Sequence, residues 1–179
     1  MAEVLPETGL SIAIDRFIRR LGKWLGLIWL ALIAVIMVNV ICRYLFAEGF
    51  IELEELQWHL YATGFLLGLS YALVEDAHVR VDVFRSRWQA STTAWVELYG
   101  LVFLLFPFCL LVIVSSLPFV LYAFETSEVS QAPGGLPLRW LIKAMLPLGF
   151  LLLVAAGISR LTRVFAELFG SQLSRRRHD

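Results

Sequence analysis

The sequence has few charged residues and little cysteine or histidine. Only 17% of its 179 residues are charged, against about 25% in a typical soluble domain, while 59% are hydrophobic. The two cysteines, Cys42 and Cys109, lie within apolar segments and form neither a disulfide pattern nor a metal-binding motif. The formal net charge is zero, so a nucleic-acid partner is not expected. The apolar excess is too large for a surface that faces water, and it indicates a membrane protein.

These shortages also exclude several kinds of active site. A four-helix haem subunit needs paired histidines within its spans, yet only His59 of the three histidines lies in an apolar segment. No set of His, Cys, Asp and Glu residues has the spacing of metal ligands. No charge lies deep in an apolar segment, and no pair of interrupted helices indicates a self-sufficient carrier. We therefore expect no enzyme activity, no cofactor and no metal, and we interpret the chain as an accessory subunit.

Four long apolar segments are present instead. The first two, Trp24–Cys42 and Leu56–Val74, each contain 19 residues without Asp, Glu, Lys or Arg. A helix of that length rises about 28 Å, close to the roughly 30 Å of membrane hydrocarbon. The predicted fold is an all-α membrane protein of one domain, residues 1–179, with transmembrane helices at 24–46, 54–75, 93–124 and 137–163. Pro107 and Pro118 predict a kink or tilt in the third helix.

Amphipathic segments flank the predicted spans. Apolar residues at helical spacing predict a helix at 8–22 that lies along the cytoplasmic surface before the chain turns into the membrane. A short interfacial helix is predicted at 81–90, with Ser91 or Thr92 as N-cap of the third span. Residues 170–179 form a basic tail.

The distribution of lysine and arginine predicts the orientation. Twelve of the 15 basic residues lie in the N-terminal segment, the middle connection and the C-terminal segment, and three lie in the other two connections. Because basic connections stay in the cytoplasm, both termini are predicted to be cytoplasmic.

Polar residues at the outer border, which is the predicted periplasmic end of the spans, are candidates for a partner interface. Glu54 and Glu55 open the second span, where the helix dipole favours carboxylates, and they could equally dock onto a basic or polar partner surface. Glu55 also lies four residues before His59, which makes a local hydrogen bond possible. Arg43 either extends its charge to the interface or pairs with Glu54 or Glu55 across the outer connection.

Two further candidate features lie towards the cytoplasmic side. Gly64 and Gly68 form a G-x-x-x-G step, which lets helices approach closely in lipid, within the chain or against a partner. His78 and Asp82 lie in the polar connection 75–84, which is either a solvated turn or a contact point for another subunit.

Three segments together resemble one known family. ELEELQWHLYATGFLLGLSYAL, EDAHVRVDVF and SEVSQAPGGLPLRWLIKAMLPLGFLLL occur in the order and spacing of the DctQ-like small membrane subunit of TRAP (tripartite ATP-independent periplasmic) transporters. The resemblance covers roughly residues 15–165. It places the family's acidic pair on Glu54 and Glu55, its His-x-x-x-Asp pattern on His78 and Asp82, and its Pro-Gly-Gly-Leu-Pro turn on Pro133 to Pro137. Val74 and Glu75 stand where many relatives carry a basic residue.

The resemblance implies a function that composition does not reveal. It implies a non-catalytic small permease subunit of a sodium-coupled importer of small organic acids in a bacterial inner membrane. A large DctM-like membrane subunit would carry the substrate and sodium sites, and a soluble periplasmic DctP-like protein would deliver the substrate. This chain would be the scaffold against which the large subunit moves. The alternative is a structural or anchoring subunit of another inner-membrane complex, such as a respiratory enzyme.

Overall fold

The computed structural model describes residues 6–78 and 88–170, and every regular element in these two ranges is helical. The predicted all-α class is therefore confirmed. There are four helices in the described residues, and α1 (Gly9–Leu45) and α2 (Ile51–Val74) come first. The last helix, α4 (Arg139–Phe165), continues as a π-helical turn at Ala166–Gly170. α3 consists of three consecutive stretches, which are α-helical at Ala90–Tyr99, π-helical at Gly100–Leu105 and α-helical at Phe106–Glu125.

The first helix differs from its prediction. The predicted surface helix at 8–22 and the span at 24–46 form one continuous helix of 37 residues, about 55 Å long. The predicted turn between them is wrong. The early segment packs inside the bundle instead, because Ser11, Asp15 and Ile18 are buried against neighbouring helices.

A proline explains the irregular middle of α3. Pro107 has no N–H to donate, and its ring crowds the carbonyl group one turn earlier. The π-helical stretch Gly100–Leu105 ends two residues before Pro107, and a widened turn of this kind accommodates the lost hydrogen bond. Pro118, by contrast, lies within the α-helical stretch Phe106–Glu125.

The start of α3 also differs from its prediction. Gln89 is the N-cap residue and makes no side-chain capping hydrogen bond. Ser91 and Thr92 already belong to the helix, so the prediction that one of them caps it is wrong. The predicted 81–90 helix falls largely outside the described residues, as does almost all of the predicted 170–179 tail.

α4 is the central helix of the bundle. It packs against α1, α2 and α3, and α1 and α2 also pack against each other. Glycine permits α4 to approach the backbone of α2, since a Cβ atom at Gly149 would lie only 2.9 Å from the carbonyl oxygen of Leu66. All four helices contribute to the buried core, which consists of Ile18, Leu73, Cys109, Phe150, Leu153 and Ala156.

Long apolar helices with exposed apolar faces distinguish this bundle from a water-soluble one. Leu104 is 73% exposed and Leu30 is 63% exposed. Within the residues that the structure describes, three helical stretches are long and apolar enough to cross a membrane, namely Gly9–Leu45, Ser91–Glu125 and Arg139–Phe169. α2 is long enough at about 36 Å, but polar residues such as Gln57 and His59 in its first half reduce its hydropathy. The fourth span at 54–75 therefore stays a prediction.

Candidate functional site

An ion pair joins α1 to α2 across their short connection. A guanidinium nitrogen of Arg43 donates to the Glu54 carboxylate. Of the two alternatives for Arg43, the structure contains the ion pair across the connection, and the partner is Glu54. Both side chains remain about half exposed, so the pair faces the border region rather than the core.

Glu55 attaches the distant loop between α3 and α4 to the start of α2. Its carboxylate accepts a hydrogen bond from the Ser130 hydroxyl and a second from the backbone N–H of Leu136, at 2.6 Å. The local bond to His59 exists, but it joins the imidazole Nδ1 to the backbone oxygen of Glu55 at 2.6 Å. The Glu55 carboxylate therefore already has hydrogen-bond donors within its own chain.

Two glycines shape this loop. Gly134 has φ +78°, a left-handed conformation that suits glycine, and a Cβ atom there would lie 3.1 Å from Glu52 Oε1. A Cβ atom on Gly135 would lie 2.4 Å from Ser130 Cβ and 3.0 Å from Glu55 Oε1. The Pro-Gly-Gly-Leu-Pro turn thus has a physical role, because it brings the loop backbone close to the carboxylates of α2.

A second cluster at the same border joins the ends of α3 and α4. The Lys143 ammonium group donates to the Glu128 carboxylate and lies 3.9 Å from the centroid of the Phe119 ring. Arg139 Nε lies 3.9 Å from the other oxygen of Glu128, and its backbone N–H donates to the Glu128 carbonyl oxygen at 3.2 Å. Arg139 and Lys143 at the start of α4 therefore share the single carboxylate of Glu128.

The opposite border contains a buried ion pair that the sequence interpretation missed. Asp15 is 4% exposed, accepts a 2.6 Å hydrogen bond from the Ser159 hydroxyl and forms an ion pair with Arg163. These contacts join α1 to α4 across nearly 150 residues. The one available signal was the presence of an acidic residue in a basic segment, at helical spacing from Ser11 and Ile18.

Arg160 forms the other network at this border. Its guanidinium group donates to both carboxylate oxygens of Glu97 at 3.0 Å and to Asp76 at 2.6 Å. Arg19 Nε donates to Glu75 at 2.7 Å. The connection after α2 is thus attached to α1 and α4 through its acidic residues.

The remaining predicted residues occupy different positions. Gly64 is buried, and a Cβ atom there would lie 3.3 Å from the Trp29 ring of α1. Gly68 faces open space, with no described atom within 4 Å of an added Cβ atom. His78 is exposed, and Asp82 lies outside the described residues.

Gly64, Gly68 and His78 all line one groove between α1 and α2. Its volume is about 440 Å³, and its lining is mostly apolar. Glycines from both helices line it, together with three aromatic rings and one imidazole: Gly22, Gly26, Gly64, Gly68, Trp29, Phe65, Tyr71 and His78. We refer to it below as the α1–α2 groove. Only small side chains leave room for such a groove between packed helices.

In the part of the chain that the structure describes, the ion pairs lie at the two borders. The described part of the chain contains no group of three His, Cys, Asp or Glu side chains placed to hold a metal ion. The helices between the borders present apolar faces. The arrangement is that of a multi-pass membrane protein whose polar groups bind the ends of its own helices together.

Comparison with known protein families shows which kind of multi-pass membrane protein this is. The family model for the DctQ component of tripartite ATP-independent periplasmic transporters matches residues 32–167. The match covers about three quarters of the chain, and the protein belongs to this family. It is therefore a small membrane component of a tripartite transport system, which also includes a partner membrane component and a binding-protein component. No individual curated protein matched the chain.

Proposed function

We propose that the chain is the non-catalytic small permease subunit of a sodium-coupled importer of small organic acids in a bacterial inner membrane. Its distribution of charge carries the proposal. In the described residues the ion pairs lie at the two borders, where Arg43, Lys143, Arg160 and Arg163 all bind carboxylates of the same chain. A path for sodium and a carboxylate needs polar groups within the span. The substrate and the ions therefore pass through a partner.

The partner in this proposal is the large DctM-like subunit, which carries the substrate and sodium sites. A DctP-like periplasmic protein delivers the organic acid. Both termini of the small subunit lie in the cytoplasm, and all four apolar helices, α2 included, cross the membrane. The family assignment favours this role over that of an anchor for a respiratory complex.

The small subunit acts as a scaffold through its helix faces. In lipid, apolar contact alone does not favour protein over acyl chains, so close packing determines where helices associate. The α1–α2 groove offers such a surface, since Gly68 lines it and no atom of the described residues lies within 4 Å of a Cβ atom added there. The polar candidates Arg43, Glu54 and Glu55 instead bind groups of this chain at the other end of α1 and α2.

Reconstitution tests this function. The small subunit alone, the large subunit alone and their complex are placed in liposomes with a sodium gradient, and uptake of a radiolabelled organic acid is measured with the binding protein outside. We expect uptake only from the complex. The matched control collapses the sodium gradient and should abolish uptake. Sodium-dependent uptake by the small subunit alone would contradict the proposal.

A further inference from the structure

A basic pocket lies between the N-terminal part of α1 and the end of α4. Its volume is about 430 Å³. Five basic side chains line it, accompanied by only two acidic ones, Glu7 and Asp15. The basic residues are Arg16, Arg19, Arg20, Lys23 and Arg163. The pocket lies apart from the α1–α2 groove and from the outer border.

Within the described residues, the basic side chains of this pocket are only partly paired with acidic ones. Asp15 pairs with Arg163, and Glu75 pairs with Arg19. In residues 6–78 and 88–170, no acidic side chain forms an ion pair with Arg16, Arg20 or Lys23. Like charges three or four residues apart repel each other on a helix. An anion bound among these three side chains would remove that repulsion.

The position of the pocket indicates which anion. Trp24 directly follows Lys23 and is 66% exposed, and the next turns of α1 expose Leu27 and Leu30. An exposed tryptophan followed by exposed leucines is typical of the boundary between headgroups and hydrocarbon. The pocket therefore lies at the level of lipid phosphates, and basic pockets between helices at this depth bind anionic headgroups.

We propose that Arg16, Arg20 and Lys23 bind the phosphate group of an anionic phospholipid. The acyl chains of that lipid lie along the exposed apolar face of α1 that begins at Trp24. Such a lipid stabilises the long N-terminal part of α1 against the end of α4. The proposal is independent of the transport role, because it concerns a contact between this chain and its membrane.

The test is a lipid titration of the full-length chain in neutral detergent, read by native mass spectrometry. Phosphatidylglycerol is the anionic probe, and phosphatidylcholine and inorganic phosphate are the comparison probes. The pocket variant is Arg16→Gln with Arg20→Gln and Lys23→Gln. The control variant changes Arg175, Arg176 and Arg177 to Gln, which removes the same charge from the tail. We expect one tightly bound phosphatidylglycerol in the parent and at least about tenfold weaker binding in the pocket variant, with the tail variant within about twofold of the parent.

Other outcomes would overturn the proposal. Equal losses in the two triple variants would show general charge attraction rather than a pocket. Inorganic phosphate binding as tightly as phosphatidylglycerol would indicate a soluble anion, and equal binding of phosphatidylcholine would show that charge is irrelevant. Thermal unfolding without lipid monitors the fold of each variant. Arg16→Lys with Arg20→Lys retains the charges and should retain binding, and its failure to do so would also contradict the proposal.

Discussion

Gly134 and Gly135 are the residues that let the loop between α3 and α4 approach the start of α2. An alanine at 134 must adopt φ +78°, which costs roughly 1–2 kcal/mol for a residue with a Cβ atom. Gly134→Ala should therefore lower the free energy of unfolding by about that amount, measured by thermal and denaturant unfolding in detergent. Gly49→Ala is the matched control, because Gly49 lies in the other outer connection with no atom within 4 Å of an added Cβ. Equal effects of the two substitutions would contradict the role of the turn.

The two neighbouring glutamates allow a sharper comparison. Glu54→Gln breaks one half-exposed ion pair with Arg43, and such pairs are worth about 0–1 kcal/mol. Glu55→Gln instead weakens the acceptor for both Ser130 and Leu136, so it should loosen the whole loop and cause the larger fall in melting temperature. Limited proteolysis of the 127–136 loop provides a second measurement. Faster cleavage in the Glu54 variant than in the Glu55 variant would reverse this ranking.

Local spacing predicted some of these residue contacts and missed others. Arg43 and Glu54 are 11 residues apart across a short connection, so their pairing was one of two stated alternatives. The Glu55–Leu136 and Asp15–Ser159 contacts join residues 81 and 144 positions apart. Nothing in the local pattern specifies such partners, because they depend on how α4 packs against α1 and α2.

At the scale of elements, the two glycines of α2 have different roles. Gly64 packs on Trp29, so Gly64→Leu should separate α1 from α2 and cost about 1–3 kcal/mol of stability. Gly68 opens into the α1–α2 groove, so Gly68→Leu should change the stability of the isolated chain by less than about 0.5 kcal/mol. Co-purification with the large subunit should nevertheless fall in the Gly68→Leu variant, since the leucine fills the α1–α2 groove, where we propose that the large subunit packs.

The smaller Gly68→Ala substitution is the control for that experiment and should retain most of the association. Normal co-purification of Gly68→Leu would show that the large subunit packs on another face of this chain. The exposed face of α3 would be the next one to test. Unfolding of the isolated Gly68→Leu chain would show that the groove closes within this protein.

The helices themselves were largely predictable, but their junctions were not. Uninterrupted apolar runs located α1, α3 and α4, because a buried or lipid-facing helix needs such a run. The change from basic amphipathic to apolar sequence near Lys23 indicated a turn, yet α1 continues through it. Asp15 is the reason that this signal misled, since its ion pair with Arg163 allows a polar segment to pack within the bundle.

For the whole molecule, the central position of α4 explains why both borders carry ion pairs. Lys143 at its start and Arg160 and Arg163 at its end each bind carboxylates from other segments. The apolar part of α4 between them packs against the remaining helices. A helix anchored at both ends in this way resists sliding along its axis, which suits the scaffold role that we propose.

The orientation of this bundle is the last prediction. Twelve of the 15 basic residues lie in the N-terminal segment, the middle connection and the C-terminal segment, which should therefore be cytoplasmic. Single cysteines are placed in a background that lacks Cys42 and Cys109. In intact spheroplasts, an impermeant thiol reagent should label Gly49→Cys and Gln131→Cys, but should label Ala77→Cys only after the membrane is permeabilised.

This pattern also tests whether α2 crosses the membrane. If α2 lay on the periplasmic side without crossing, position 77 would be labelled together with position 49 in intact spheroplasts. The ion pairs of Asp76 and Glu75 with Arg160 and Arg19 link that end of α2 to the basic ends of α4 and α1. A crossing α2 is therefore the arrangement in which positive residues and their acidic partners share the cytoplasmic side. Labelling of position 77 together with position 49 would reject the fourth span, and labelling of position 77 without position 49 would reject the assigned orientation.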